Sequence, residues 1–200
     1  MPPQAKGHFS VARIPAQWYV ACLSSELRSK PIAREILGIP MALFRDERGA
    51  PAALLDRCPH RNVPLSLGRV CAGHIECAYH GWQFARDGQC HAVPGLLATI
   101  QEGTRRTTAF NTREQDGLVW VFADAEQKPT TSPFTIPHTT DPAYTIVHRA
   151  VEARATMHAT IENALDVPHT AFLHRGLFRG VGEKNQITVV VRRTRSRVEA

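Results

Sequence analysis

Two Cys–His pairs constrain this chain more than any other feature. Cys58-Pro59-His60 is followed, after sixteen residues, by Cys77-Ala78-Tyr79-His80, so each of two short segments offers one thiolate and one imidazole. Thiolates and imidazoles together select soft or borderline metals. For four such side chains to serve one centre, the two segments must become facing loops, which requires a scaffold of short strands and tight turns. The rest of the composition supports a metal reading. Five cysteines form an odd set, and the opening residues Met1 to Ser10 lack the apolar core of an export signal, which argues against a disulfide framework. Ten histidines raise the prior for ligation.

The spacing separates two metal chemistries. In a Rieske [2Fe-2S] centre, one iron takes two cysteine sulfurs and the other takes two histidine nitrogens, so each loop supplies one of each. The alternative is structural zinc, for which Cys71 and His74 offer a rival set, Cys71-x2-His74-x2-Cys77-x2-His80. Usual zinc spacing pairs C-x2-C with H-x3-5-H, and neither half matches it. Cys22, Cys71 and Cys90 are expected as small buried apolar residues, and His74 and His91 as ordinary sheet or loop histidines.

The surrounding pattern is that of a small antiparallel β protein. Short apolar runs at Met41 to Phe44, Ala52 to Leu55, Trp82 to Ala85, His91 to Pro94 and Gly117 to Ala123 alternate with turn residues. Glu47-Arg48-Gly49-Ala50 and Arg86-Asp87-Gly88 are expected hairpin turns. Residues 126–142, with Pro129, Pro133, Pro137 and Pro142, cannot form a continuous helix or central strand and are expected to link or cross. Tyr144 to Arg149 is expected as a strand, Ala153 to Leu165 as a helix broken by Pro168, and Gln186 to Val198 as a final strand. The expected domains are 1–125, a linker at 126–142, and 143–200 as the truncated start of a second domain, too small to enclose its own core.

That second part contains Asp166-x2-His169-x4-His174. Two histidines and a carboxylate on one face, with open positions for O2, are the usual ligands of non-haem iron oxygenases. On an ideal helix, five residues place His169 and His174 about 140° apart, so the helix must bend or widen for both to bind one ion. The plainer reading makes Asp166 a helix N-cap and both histidines ordinary helix residues. His158 and Glu162 form an adequate i, i+4 pair.

Cys58-Pro59-His60-Arg61, Cys77-x-Tyr79-His80-Gly81-Trp82, the strand-turn-strand from Trp82 to Pro94 and the later Gly117-Leu118-Val119-Trp120-Val121-Phe122 resemble the N-terminal Rieske domain of Rieske non-haem iron oxygenases, in particular the vanillate demethylase-type oxygenase subunits. The resemblance implies a mainly β fold, an antiparallel Rieske domain followed by an incomplete α+β helix-grip catalytic domain. It implies Cys58, His60, Cys77 and His80 as cluster ligands and His169 and His174 as ligands of mononuclear Fe(II). It places Asp166 as a bridge from His169 to a Rieske histidine, His80, of a neighbouring subunit in a homotrimer, with Asn163 near the iron. The family's third iron ligand is a carboxylate far downstream; within this sequence only Glu183 and Glu199 follow His174. The extra loop cysteines and the serine found in respiratory Rieske proteins have no counterpart here. Fewer hydrogen bonds to the sulfurs predict a potential toward the low end of the Rieske range.

The expected function is therefore a terminal oxygenase component, a mono- or dioxygenase using O2 to hydroxylate or oxidatively demethylate an organic, aromatic substrate. Its electrons would come from a reductase or ferredoxin. The alternatives are a Rieske-type electron carrier or oxygenase fragment without mononuclear iron, and a zinc-stabilised interaction module. A formal charge of +6 admits an acidic partner, but the basic residues are scattered and no nucleic-acid module accompanies them. No apolar run approaches the roughly eighteen residues of a membrane span, and a cytoplasmic location is expected.

Overall fold

In the computed structural model, residues 14–96, 100, 103–174, 176–177, 188–195 and 198–199 are described. They fall into two compact units, one reaching to Arg149 and one starting at Ala150. The first is built from β1 (Trp18–Leu23), β2 (Ile32–Ile36), β3 (Ile39–Arg45), β4 (Pro51–Leu55), β5 (Arg69–Cys71), β6 (His74–Glu76), β7 (Gln83–Phe84), β8 (Cys90–Ala92), β9 (Ala109–Phe110), β10 (Thr112–Gln115) and β11 (Leu118–Phe122). These form three antiparallel sheets with orders β1-β11-β10, β2-β3-β4-β9 and β5-β6-β7-β8. The expected mainly β architecture is present, and Gly49 and Gly88 occupy the two expected turns with φ of 77° and 81°.

The central sheet is buried on both faces, and strand alternation shows how. Successive side chains of a strand point to opposite sides. Met41 and Leu43 of β3 and Ala53 of β4 pack with Val119 and Val121 of β11 in one core. Ala42 and Phe44 of β3 and Ala52 and Leu54 of β4 point the other way, into a second core with Leu65, Ile75 and Phe84. Phe44 and Phe84 are fully buried, each contributing about 1.5–3 kcal/mol. Cys58 and Cys77 belong to this second core.

Besides the shared core, two turn contacts join the central sheet to the β5–β8 sheet. The Asp46 carboxylate, at the β3–β4 turn, accepts hydrogen bonds from the backbone N–H groups of Arg48 and Ala50, both at 2.9 Å. It also accepts from Arg86 Nη1 at 2.5 Å, the Asp46 side chain being fully buried. Gly73, at the β5–β6 turn, has φ +79°, and a Cβ there would lie 2.1 Å from the backbone nitrogen of Glu47. Gly49 has a similar φ of +77° but faces open space. Gly49→Ala therefore meets only the left-handed backbone cost of about 1–2 kcal/mol, whereas Gly73→Ala also forces two turns apart. Thermal unfolding should show the larger fall in Tm for Gly73→Ala; equal shifts would contradict the contact.

Residues 126–149 form no helix or strand. The Pro-rich stretch lies along the first sheet: Trp18 Nε1 donates to the Thr131 carbonyl at 2.7 Å. The Asp116 carboxylate accepts from Ile136 N–H and Thr139 Oγ1, both at 3.0 Å, and these bonds hold its pKa below the usual aspartate value. Tyr144 to Arg149, expected as a strand, is not one. A strand needs a neighbour's peptide groups, and none pairs with this segment among the described residues. Tyr144 instead stacks on His138 with ring centroids 4.2 Å apart.

The second unit contains α1 (Met157–Leu165), a 3-10 turn at Val167–His169, α2 (Thr170–Leu173), and a two-residue ladder of β12 (Arg192–Arg193) and β13 (Val198–Glu199). The helix starts later than Ala153 because Thr156 caps it, its hydroxyl accepting from Ala159 N–H at 3.2 Å. It ends at Leu165, near the break expected from Pro168. Within the expected strand from Gln186 to Val198, Arg192–Arg193 and Val198 take part in a strand ladder; part of that stretch, and Glu183, lie outside the described residues. Among the described residues, no helix is long and apolar enough to cross a membrane.

Candidate metal centre

Two loops carry the first constellation, one after β4 and one after β6. Their backbones close in the same way. Cys58 N–H donates to the Val63 carbonyl at 2.9 Å and Asn62 N–H to the Cys58 carbonyl at 2.8 Å. Cys77 N–H donates to the Trp82 carbonyl at 2.8 Å and Gly81 N–H to the Cys77 carbonyl at 3.0 Å. The fourth residue after each cysteine is left-handed, Asn62 with φ 60° and Gly81 with φ 69°. Asn tolerates that region better than other side chains, and Asn62 Oδ1 is further held by Arg57 Nε at 2.7 Å. At Gly81 a Cβ would come within 2.9 Å of Pro94 Cγ. Ser66 steadies the first loop from below, donating through its backbone N–H and hydroxyl to Asp56 at 2.7 and 2.5 Å.

The closure divides the four side chains by environment. Cys58 and Cys77 are 1% and 2% exposed, within the core, while His60 and His80 are exposed with ring centroids 4.5 Å apart. Sulfurs face inward and imidazoles outward. Burial pushes the Cys58 thiol up to about 11, against the lowering effect of the His60 and Arg61 backbone N–H groups that bond its sulfur. A thiolate at that depth calls for a metal cation, since coordination deprotonates a thiol outright. His60 lies flat on Trp82, centroids 4.7 Å apart and planes 5° off parallel, and His80 leans on Tyr79 at 3.9 Å.

This donor set fits a two-iron cluster and not the rival zinc set. Among the described residues, no three His, Cys, Asp or Glu side chains converge on one ion. A [2Fe-2S] cluster asks only two protein ligands of each iron, sulfide supplying the rest, whereas tetrahedral zinc asks four. Alternation along β6 explains the failure of the zinc set: Ile75 and Cys77 are buried while His74 is only half-buried. His74 stacks on His91 at 3.9 Å instead. Cys22 and Cys90 are buried apolar residues as expected, but Cys71 is half-buried. Its thiol faces Arg69 and Glu76, because it shares their side of the β5–β6 hairpin.

The second constellation lies on a broken helix. Asp166 ends α1 with φ −80° and ψ 76°, a 3-10 turn follows, and His174 leaves the helical region at φ −119°, ψ 43°. These departures bring the His169 and His174 rings to a centroid distance of 5.5 Å, which an ideal helix would not. Asp166 occupies a cap position, yet its side chain makes no capping hydrogen bond. Its Oδ2 lies 3.9 Å from His169 Nδ1, and Nδ1 is bonded to the Asp166 carbonyl. That arrangement occupies Nδ1 and leaves Nε2 available, the usual support for a metal-binding imidazole. His158 Nδ1 and Glu162 form the expected i, i+4 pair at 3.3 Å.

The family profile for the Rieske [2Fe-2S] domain matches residues 17–103. That region of the chain is a Rieske domain. Around it, the similarity to Rieske oxygenase components extends over about four fifths of the chain. The oxygenase component of dicamba O-demethylase from Stenotrophomonas maltophilia is 38% identical over 162 residues, covering 79% of this chain and 47% of that protein. The vanillate O-demethylase oxygenase subunit from a Pseudomonas species (strain HR199) is 29% identical over 170 residues, covering 84% and 46%. The crystal structure of dicamba monooxygenase bound to dicamba superposes with a TM-score of 0.74 at 35% identity, covering 82% of this chain and 49% of that one. This chain thus spans about half the length of the relatives it matches.

Several residues that shape the Rieske domain were not singled out from the sequence as functional. Asn62 was legible in principle, since it stands at the same offset from Cys58 as Gly81 does from Cys77. Asp46 carried a local signal, an Asp two residues before the Arg48 N–H that it accepts from, but its bond to Arg86 and that of Asp56 to Ser66 join segments distant in sequence.

Proposed function

We propose that this chain acts in a terminal oxygenase component, taking electrons from a reductase or ferredoxin and using O2 to hydroxylate or oxidatively demethylate a small aromatic substrate. Cys58 and Cys77 would hold one iron of a [2Fe-2S] cluster and His60 and His80 the other, while His169 and His174 would supply two ligands to a mononuclear non-haem Fe(II). The observation that carries this reading is the pair of matched loops, with two thiols in the core and two imidazoles 4.5 Å apart at the surface. The 5.5 Å approach of His169 and His174 on the broken helix supports the second metal. The names of the relatives, dicamba and vanillate O-demethylase components, support the reaction class.

The cluster would supply one-electron transfer and the mononuclear iron O2 activation; the chain's own part is to position and connect them. Asp166, through its carbonyl and carboxylate, engages Nδ1 of His169 and so leaves the Nε2 lone pair for a metal. In a homotrimer its carboxylate would also reach His80 of a neighbouring copy, fixing both tautomers, with Asn163 close to the iron. Backbone N–H groups at the Cys58 sulfur, without the loop serine or disulfide of respiratory Rieske proteins, favour a potential in the lower part of the Rieske range. The cytoplasm, which keeps thiols reduced, suits an odd set of five cysteines.

Iron, zinc and acid-labile sulfide per chain, with an electron paramagnetic resonance spectrum after dithionite reduction, test the reading. The expected result is about three irons and two sulfides, falling to about two irons in His169→Ala with the reduced spectrum unchanged. Two irons in both proteins would leave a Rieske-type electron carrier or an oxygenase fragment without mononuclear iron. Stoichiometric zinc without sulfide would overturn it altogether.

A further inference from the structure

Arg105 differs from Arg69 and Arg86, two arginines beside the cluster loops; Arg57, bonded to the Asn62 amide, and Arg61, next to His60, likewise have no carboxylate partner among the described residues. Arg69 is paired with Glu76 at 2.7 Å and Arg86 with Asp46 at 2.5 Å, so their charges are locally neutralised. No carboxylate pairs with Arg105 among the described residues, and its guanidinium carbon lies 6.0 Å from the centroid of the Trp82 ring. Trp82 is the ring on which His60 lies flat. Arg105 holds this position from a left-handed backbone, φ 53°, which a non-glycine residue adopts at a cost of about 1–2 kcal/mol. Its charge also acts on Cys90, a member of the same core as Cys58 and Cys77, offsetting part of the rise in the Cys90 pKa that burial causes.

We infer that Arg105, docked on Trp82, is a positioning residue that raises the reduction potential of the Rieske centre by stabilising the electron it accepts. The inference rests on the cluster assignment above. Two ferric ions, two sulfides and two thiolates with neutral imidazoles sum to zero charge. One electron from the reductase or ferredoxin brings the sum to minus one, so a nearby cation favours the reduced form. Trp82 has two parts in this: its face holds the guanidinium by cation–π attraction, and its stacking fixes the His60 ring. Arg105 thus offsets part of the lowering caused by the absence of a hydroxyl donor to sulfur.

The test is a potentiometric titration of the cluster-loaded full chain at low ionic strength, with wild type, Arg105→Lys, Arg105→Asn and Arg105→Glu compared. Asn is chosen because it tolerates the left-handed backbone. In Arg105→Asn, the reduced-to-oxidised ratio at the wild-type midpoint should fall about three- to tenfold, a midpoint lower by roughly 28–59 mV for one electron. Arg105→Glu should fall further, Arg105→Lys should stay near wild type, and added salt should shrink the differences. Equal midpoints in wild type and Arg105→Glu would overturn the inference. Loss of the cluster from Arg105→Asn with its retention in Arg105→Lys would also do so, making the cation a structural strut. A wild-type chain that binds no [2Fe-2S] cluster would instead remove the assignment on which the inference rests.

Discussion

Cys58→Ser and Cys77→Ser each take the cluster from about two irons and two sulfides to none, because one iron loses half of its protein ligands and serine is a poor substitute for a thiolate. Both cysteines lie in the core with Phe44 and Phe84, so these substitutions also bury a hydroxyl without an assured partner. An unsatisfied buried polar group costs about 1–3 kcal/mol, and the apo protein should lose stability by that order. His60→Ala separates the two effects. His60 is exposed, so its removal should abolish the cluster signal while leaving the apo protein's denaturation midpoint nearly unchanged. Iron analysis and denaturant unfolding of apo proteins measure the two quantities. A cluster that survives Cys77→Ser, or an apo His60→Ala as unstable as apo Cys58→Ser, would contradict the division into inner sulfurs and outer imidazoles.

The second large effect is expected at Asp46, far from any ligand in sequence. Asp46→Ala removes the acceptor of two turn N–H groups and of the Arg86 guanidinium at once. With two N–H groups left unpaired beside a fully buried site, the loss should be about 3 kcal/mol, discounted for Arg86, which is 47% exposed and can turn to water. For a chain of this length that corresponds to a Tm lower by about 6–12 °C. Asp46→Asn keeps an oxygen for the two N–H groups and loses only the charge, so its Tm should fall by less than half as much. Cluster occupancy should follow, since Asp46 and Arg86 tie the central sheet to the sheet that carries the second ligand loop. Equal effects of Ala and Asn would place the stabilisation in the charge rather than in the turn.

Elements dominated by local chemistry were legible without coordinates. The turns at Gly49 and Gly88 follow from glycine's access to positive φ, and the main strands from apolar alternation. The break after α1 follows from Pro168. Tyr144 to Arg149 shows the opposite case: its residues favour strands, but strand formation depends on a partner, and no local pattern reveals one. Cys71 shows it at a single residue. Its type suggested burial, while its place on the polar side of the β5–β6 hairpin decided for half-exposure. At His169 and His174 the spacing posed a geometric difficulty on an ideal helix; the 3-10 turn and the non-helical backbone of His174 resolved it.

By itself the sequence determined which residues are chemically able to hold a cluster, because ligand type and spacing are properties of the chain. It also determined the mainly β class, because alternation and turn chemistry are local. Only the tertiary structure decided that the two thiols enter a core while the two imidazoles stay at the surface, that the zinc set does not assemble, and that Arg105 stands over Trp82. Those outcomes depend on which faces meet and which charges find partners, and contacts between residues distant in sequence leave no periodicity to read.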